Sequence, residues 1–202
     1  IPSGEIVSNC HKIPSNQFKR ERASVGEIVG EWLMLLQALH DFNPDLKIVF
    51  TVSPIRHFKD GAHDNQLSKS TLLLAIDEII KQYPEGQATY FPAYEIVNDE
   101  LRDYRFYTSD MIHISETAIS FIFEKFKSAF FSRQTIDCYQ EIKNIIQARE
   151  HRILTNNNRS ITQFSHSMIE KIEKLKKAYP YINFEEEAKH FQSLGSLEEG
   201  FC

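Results

Sequence analysis

Cysteine is scarce in this chain, and its three copies, Cys10, Cys138 and Cys202, are odd in number and far apart. Neither a disulfide framework nor a CxxC metal site can be built from them, and a reducing compartment such as the cytoplasm fits that usage. Long apolar runs are missing too. The most hydrophobic pieces, such as Leu72 to Ile76, are short and lie inside amphipathic patterns, well below the roughly 20 residues that span a bilayer. Positive charge is not in excess: 23 Lys and Arg against 28 Asp and Glu leave a net charge of −5. That balance argues against a broad phosphate-binding surface and hence against nucleic acid as a partner. The 42% of hydrophobic residues are enough for a core, so a chain of 202 residues reads as one large domain, or one domain with an appendage, and not as disordered. The sequence opens on Ile1 and not Met, which leaves a targeting segment an open question.

Residues 3–8 read as a short strand or hairpin arm leading to Asn9-Cys10-His11-Lys12, a polar cluster that either faces a site or is a surface loop. Ser24 and Glu27 have capping-box spacing, and Ile28, Val29, Trp32, Leu36 and Leu39 recur at helical intervals until Asn43-Pro44. Residues 48–52 lack polar alternation, as expected of a parallel strand covered on both faces. The loop at 53–66 then crowds Arg56, His57, Asp60, His63, Asp64 and Asn65 together. Arg56 suits a carboxylate, a phosphate or a sugar hydroxyl, or else a salt bridge to Asp60 or Asp64. A metal held by His57, His63 and Asp64 would have no recognised ligand spacing. A helix over 68–83 and a strand over 88–91 make a βαβ unit, so the two strands should be parallel neighbours. A short helix over 95–102 follows.

The chain is organised around residues 90–113, YFPAYEIVNDELRDYRFYTSDMIH, which end in Asp110 and His113 just before a helix capped by Ser115. An imidazole between a carboxylate and a hydroxyl can take the hydroxyl's proton. Asp-x-x-His is also what an Asp capping a turn beside a surface His looks like. Ile119, Ile122, Phe123, Phe126 and Phe130 form the next helix's apolar stripe, and strand signals end at Ser132. Beyond it, helical patterns over 134–152 and from Ile161 to Tyr179 predict an antiparallel hairpin, followed by a short helix after Asn183. No family motif is evident there. The expected division is 1–131 and 132–202.

Four stretches together, NCHK at 9–12, TVSPIRH at 51–57, DGAHDNQLSKSTLLLAIDE at 60–78 and the 90–113 segment, resemble the GSCFA family. That family is related to the SGNH hydrolases. The resemblance implies an α/β fold with a flavodoxin-like, three-layer parallel sheet, here amino-terminally truncated and extended by the helical hairpin. It implies hydrolysis of carboxylic esters of small molecules or glycans, with no metal or organic cofactor. His113 would be the general base and Asp110 its orienting carboxylate, while Asn9, Arg56, His57, His63 and Asn65 are candidates for holding substrate. The residue after the His is commonly Pro in the family and is Ile114 here. The Gly-Ser-Cys-Phe-Ala motif that carries the family's nucleophilic Ser does not occur in the sequence, so the expectation is a carboxyl-terminal portion whose Ser lies upstream. Nothing in the sequence brings Ser53 or Ser109 to His113 in its place. A binding or structural module that kept the fold and lost the reaction is the competing reading, and the oligomeric state stays open.

Overall fold

Ser24 opens the first element with a capping box. Its hydroxyl accepts from the Glu27 amide at 3.3 Å, and the Glu27 carboxylate accepts from the Ser24 amide at 2.7 Å. These bonds satisfy amides that a helix start leaves without partners, and α1 runs Val25–Phe42. The structure, a computed structural model, describes residues 4, 6, 7, 12–57, 59, 61–151 and 157–196. After α1 come β1 (Ile48–Phe50), α2 (Gly61–Gln82), β2 (Ala88–Tyr90), α3 (Ala93–Glu95) with a π turn (Ile96–Glu100), α4 (Glu116–Phe130), α5 (Arg133–Glu150), α6 (Asn158–Ala178) and α7 (Glu185–Gly195). The chain divides into two compact units, Ile1–Lys125 and Phe126–Cys202. The strand arm expected at 3–8 and the cluster at 9–12 fall largely outside the described residues.

In the first unit β1 and β2 pair in parallel, with Ile48 opposite Ala88, Val49 opposite Thr89 and Phe50 opposite Tyr90. Val29 and Leu36 of α1, Phe50, Ala75 and Ile79 of α2, and Ala88 make one core. Leu36 and Ile79 are fully buried, each contributing about 1.5–3 kcal/mol relative to an exposed position. Trp32 meets the Phe50 ring edge-on, with centroids 5.1 Å apart.

The expected three-layer parallel sheet is not what the chain forms. Among the described residues the sheet has two strands, the fold is mostly helical, and no further strand joins either edge. Nor is β1 covered on both faces: Val49 and its partner Thr89 are exposed, while Phe50 and Ala88 are buried. The reason is physical. A short apolar run is compatible with a doubly covered strand and equally with a half-covered one, because its composition does not say what lies across each face. Elsewhere the apolar residues recur at helical spacing and are used by helices.

The second unit has its own core, made by Ile145 of α5, Met168, Ile172 and Leu175 of α6, and Phe184, Ala188 and Phe191 at α7. Ser132 caps α5 by accepting from the Thr135 amide at 3.1 Å. The helices expected over 134–152 and from Ile161 to Tyr179 are α5 and α6, and the short helix expected after Asn183 is α7, which completes their core. The α7 helix supplies the most bulky buried side chain, Phe191, and Arg149 of α5 pairs with Glu187 of α7 at 2.6 Å. No helix of the described residues is long and apolar enough to cross a membrane.

Candidate active site

Past β2 the chain makes one turn of α-helix and then widens. The Leu101 amide donates to the Ile96 carbonyl at 3.0 Å, closing a π turn. Asn98 is pinned there by its side-chain amide on the Tyr94 carbonyl at 2.7 Å, and Arg102 donates to the Asn98 carbonyl at 3.1 Å and to Asp99 at 3.0 Å. Asp103 caps a 3₁₀ turn, Tyr104–Phe106, through the Arg105 amide. The backbone then reverses. Tyr107 bridges Ile114 in antiparallel fashion, the Thr108 amide donates to the His113 carbonyl and the Ser115 amide to the Phe106 carbonyl, both at 2.8 Å.

Asp110 and His113 lie in the loop of this hairpin and touch. His113 Nδ1 is 2.5 Å from Asp110 Oδ2. The other carboxylate oxygen accepts three times, from the Thr108 hydroxyl at 2.6 Å, the Ile112 amide at 2.9 Å and the His113 amide at 3.0 Å. Together these bonds hold the Asp110 carboxyl well below the usual carboxylate range, the Thr108 hydroxyl first, then the imidazole and the two amides. Met111 sits at φ 60° to make the turn, a left-handed conformation that costs an L-residue on the order of 1 kcal/mol. The bonds on either side of it hold it there. With Nδ1 turned to a carboxylate, the neutral imidazole presents the lone pair of Nε2 outward, the arrangement a general base needs. Both side chains are solvent-accessible, at 65% for His113 and 46% for Asp110.

A cleft of about 510 Å³ opens beside this loop, with Asp110, Met111 and Ile112 as one wall and Arg56, Asn98 and Tyr107 among the others. Arg56 reaches it from the loop after β1. That loop is held to α2 at two points one helical turn apart: Asn65 accepts from the His57 amide at 2.8 Å, and Lys69 donates to the Ser53 carbonyl at 2.6 Å. Partial burial there pushes the Lys69 ammonium below its ordinary range.

Of the candidate residues, Asp110 and His113 are brought together, and Arg56 shares a cleft with Asp110. Asn65 is buried and spends its carbonyl oxygen on the loop backbone. His57 and His63 are exposed, and Asn9 lies outside the described residues. No three His, Cys, Asp or Glu side chains among the described residues converge as metal ligands, and His57, His63 and Asp64 do not form such a group. The Ser53 hydroxyl accepts from the Ile55 amide at 3.2 Å. Residues that the sequence reading passed over are Thr108, Asn98, Arg102, Tyr104 and Tyr107. A hydroxyl two positions before the Asp was the visible signal for Thr108; the cleft residues depend on the π turn, which leaves no pattern in a sequence.

Among curated proteins and among solved structures, nothing matches the chain. Two family matches cover most of it: residues 1–126 match the GSCFA family, and residues 142–194, where no motif was evident, match the GSCFA domain protein, C-terminal domain. The first match alone spans more than half of the sequence, and with the second it establishes that the chain belongs to the GSCFA family.

Proposed function

We propose that this chain carries the general-base half of an ester hydrolase of the Ser-Asp-His type. The observation that supports the reading is the 2.5 Å contact between His113 Nδ1 and an Asp110 carboxylate already fixed by three other donors. Such a carboxylate holds the imidazole in one tautomer and stabilises the imidazolium that forms when Nε2 takes a proton. The hydroxyl to be activated would be the Ser of a Gly-Ser-Cys-Phe-Ala motif outside these 202 residues. It would attack an ester carbonyl, and the imidazolium would hand its proton to the departing alcohol as the acyl-enzyme forms. Water giving a proton to the freed nitrogen would then release the acid and restore the Ser. In this scheme the second unit supplies no catalytic group.

A second reading, a binding module without turnover, has one observation in its favour: no hydroxyl among the described residues hydrogen-bonds to His113 Nε2. Assays on aryl and acetylated-sugar esters near neutral pH separate the two. The 202-residue chain is expected to be inactive, and a longer protein that includes the Ser motif to be active, losing about 10²–10⁴-fold in kcat on His113→Ala. In that protein Asp110→Asn should also slow turnover, because an amide donor facing Nδ1 forces the proton onto Nε2. Activity unchanged by His113→Ala would leave the binding reading standing.

A further inference from the structure

Arg56 is the cationic group of the cleft that pairs with no described residue. Arg102 is spent on Asp99 and on the Asn98 carbonyl, whereas Arg56, among the described residues, has no ion pair and no hydrogen bond. The carboxylate in the lining, Asp110, stays ionised, but its oxygens already accept from three donors and contact an imidazole, whose dipoles screen part of its field from an incoming anion. Tyr104 and Tyr107 add phenol groups to the lining, and Val97, Met111 and Ile112 add apolar surface. A volume of about 510 Å³ falls within the roughly 300–1,000 Å³ typical of small-ligand sites. In open water an Arg–carboxylate pair is worth little. Arg56 is exposed at this open cleft, so charge alone adds little, and recognition rests on the guanidinium fork, which can take two oxygens of one planar anion.

We infer that this cleft is a subsite for an oxyanionic group, a carboxylate or a phosphate, bound by Arg56 beside the loop that carries Asp110 and His113. The inference rests on the proposed hydrolase only for what the anion is attached to: the substrate would be an ester bearing that group, seated so that its carbonyl reaches His113. Such selectivity would exclude simple neutral esters as preferred substrates.

The site can be tested without turnover, by titrating glutarate, its neutral analogue glutaramide, and inorganic phosphate into the 202-residue chain and following the backbone amides of Asn98, Tyr104 and Tyr107 by NMR. Glutarate or phosphate should shift these amides saturably and glutaramide should not. Whichever anion binds more tightly tells a carboxylate-bearing substrate from a phosphorylated one. Arg56→Gln should weaken binding roughly tenfold, and Arg56→Lys, which keeps the charge and loses the fork, by less. Equal binding of glutarate and glutaramide, or an affinity untouched by Arg56→Gln in a folded variant, would overturn the subsite. Loss of the hydrolase reading through an inert His113→Ala would leave these titrations as they are, so the two failures are distinguishable.

Discussion

Thr108 acts on Asp110 more strongly than the imidazole does, and the two act on different oxygens: the hydroxyl on the one that also accepts two backbone amides, the ring on the other. The turn and the Asp–His contact are thus one hydrogen-bonded object. Its pH behaviour follows in sign. A carboxyl whose folded pKa lies below its unfolded value of about 3.9 contributes stability that is complete above that value and is lost as pH falls through the folded pKa. In an NMR titration the Asp110 side chain should therefore stay ionised through the range where ordinary aspartates protonate. In Thr108→Val, a near-isostere without the donor, the midpoint should move up toward the ordinary value. An Asp110 that titrates near 4 in both proteins would mean that the hydroxyl contributes nothing.

Elements were legible where local chemistry decides them. The Ser24-x-x-Glu27 box marked the start of α1, and the run at Ile48 marked β1. The start of α2 was not legible. Residues 61–67 are polar enough to read as loop, yet they form the first turns of the helix, where the buried Asn65 gains a partner in the His57 amide that sequence spacing cannot show. The π turn is hidden for a similar reason: Ile96 to Glu100 have ordinary helical composition, and the widening is set by what the turn packs against. The staple from α2 carries a prediction. Asn65→Ala leaves the His57 amide without its acceptor in a partly buried place and should cost about 1–3 kcal/mol in chemical denaturation. Exchange of the His57 amide should quicken by roughly tenfold. Since residues 53–57 carry Arg56, anion affinity in the cleft should fall with it. A variant in which His57 exchanges as slowly as before would show that Lys69 alone holds the loop.

At the scale of the whole molecule, the contact between Asp110 and His113 and the parallel pairing of β1 with β2 could be anticipated from the sequence, while the absence of the layered sheet expected around them could not. An i to i+3 contact is local and needs only a turn, whereas a layered sheet depends on partners from distant parts of a chain, and here β1 and β2 have only each other among the described residues. The second unit was legible as helices but not as a family domain. Its helical spacing gives Ile172 and Leu175 a buried face, and what completes that face, Phe184, Ala188 and Phe191, recurs at i, i+4 and i+7 along the short α7 segment. Because this core is separate from the one around Leu36 and Ile79, the two can be perturbed one at a time. Phe191→Ala removes the largest fully buried ring of the second unit and should cost about 3–5 kcal/mol, read as faster amide exchange across α6 and α7. If that unit supplies no catalytic group, the Asp110 titration and the affinity of the cleft for anions should be the same in Phe191→Ala as in the parent, measured where the variant is still folded. A shifted Asp110 midpoint or a weakened anion site in the folded variant would place part of the functional machinery in the helical unit, and the division of labour proposed for the two units would have to be abandoned.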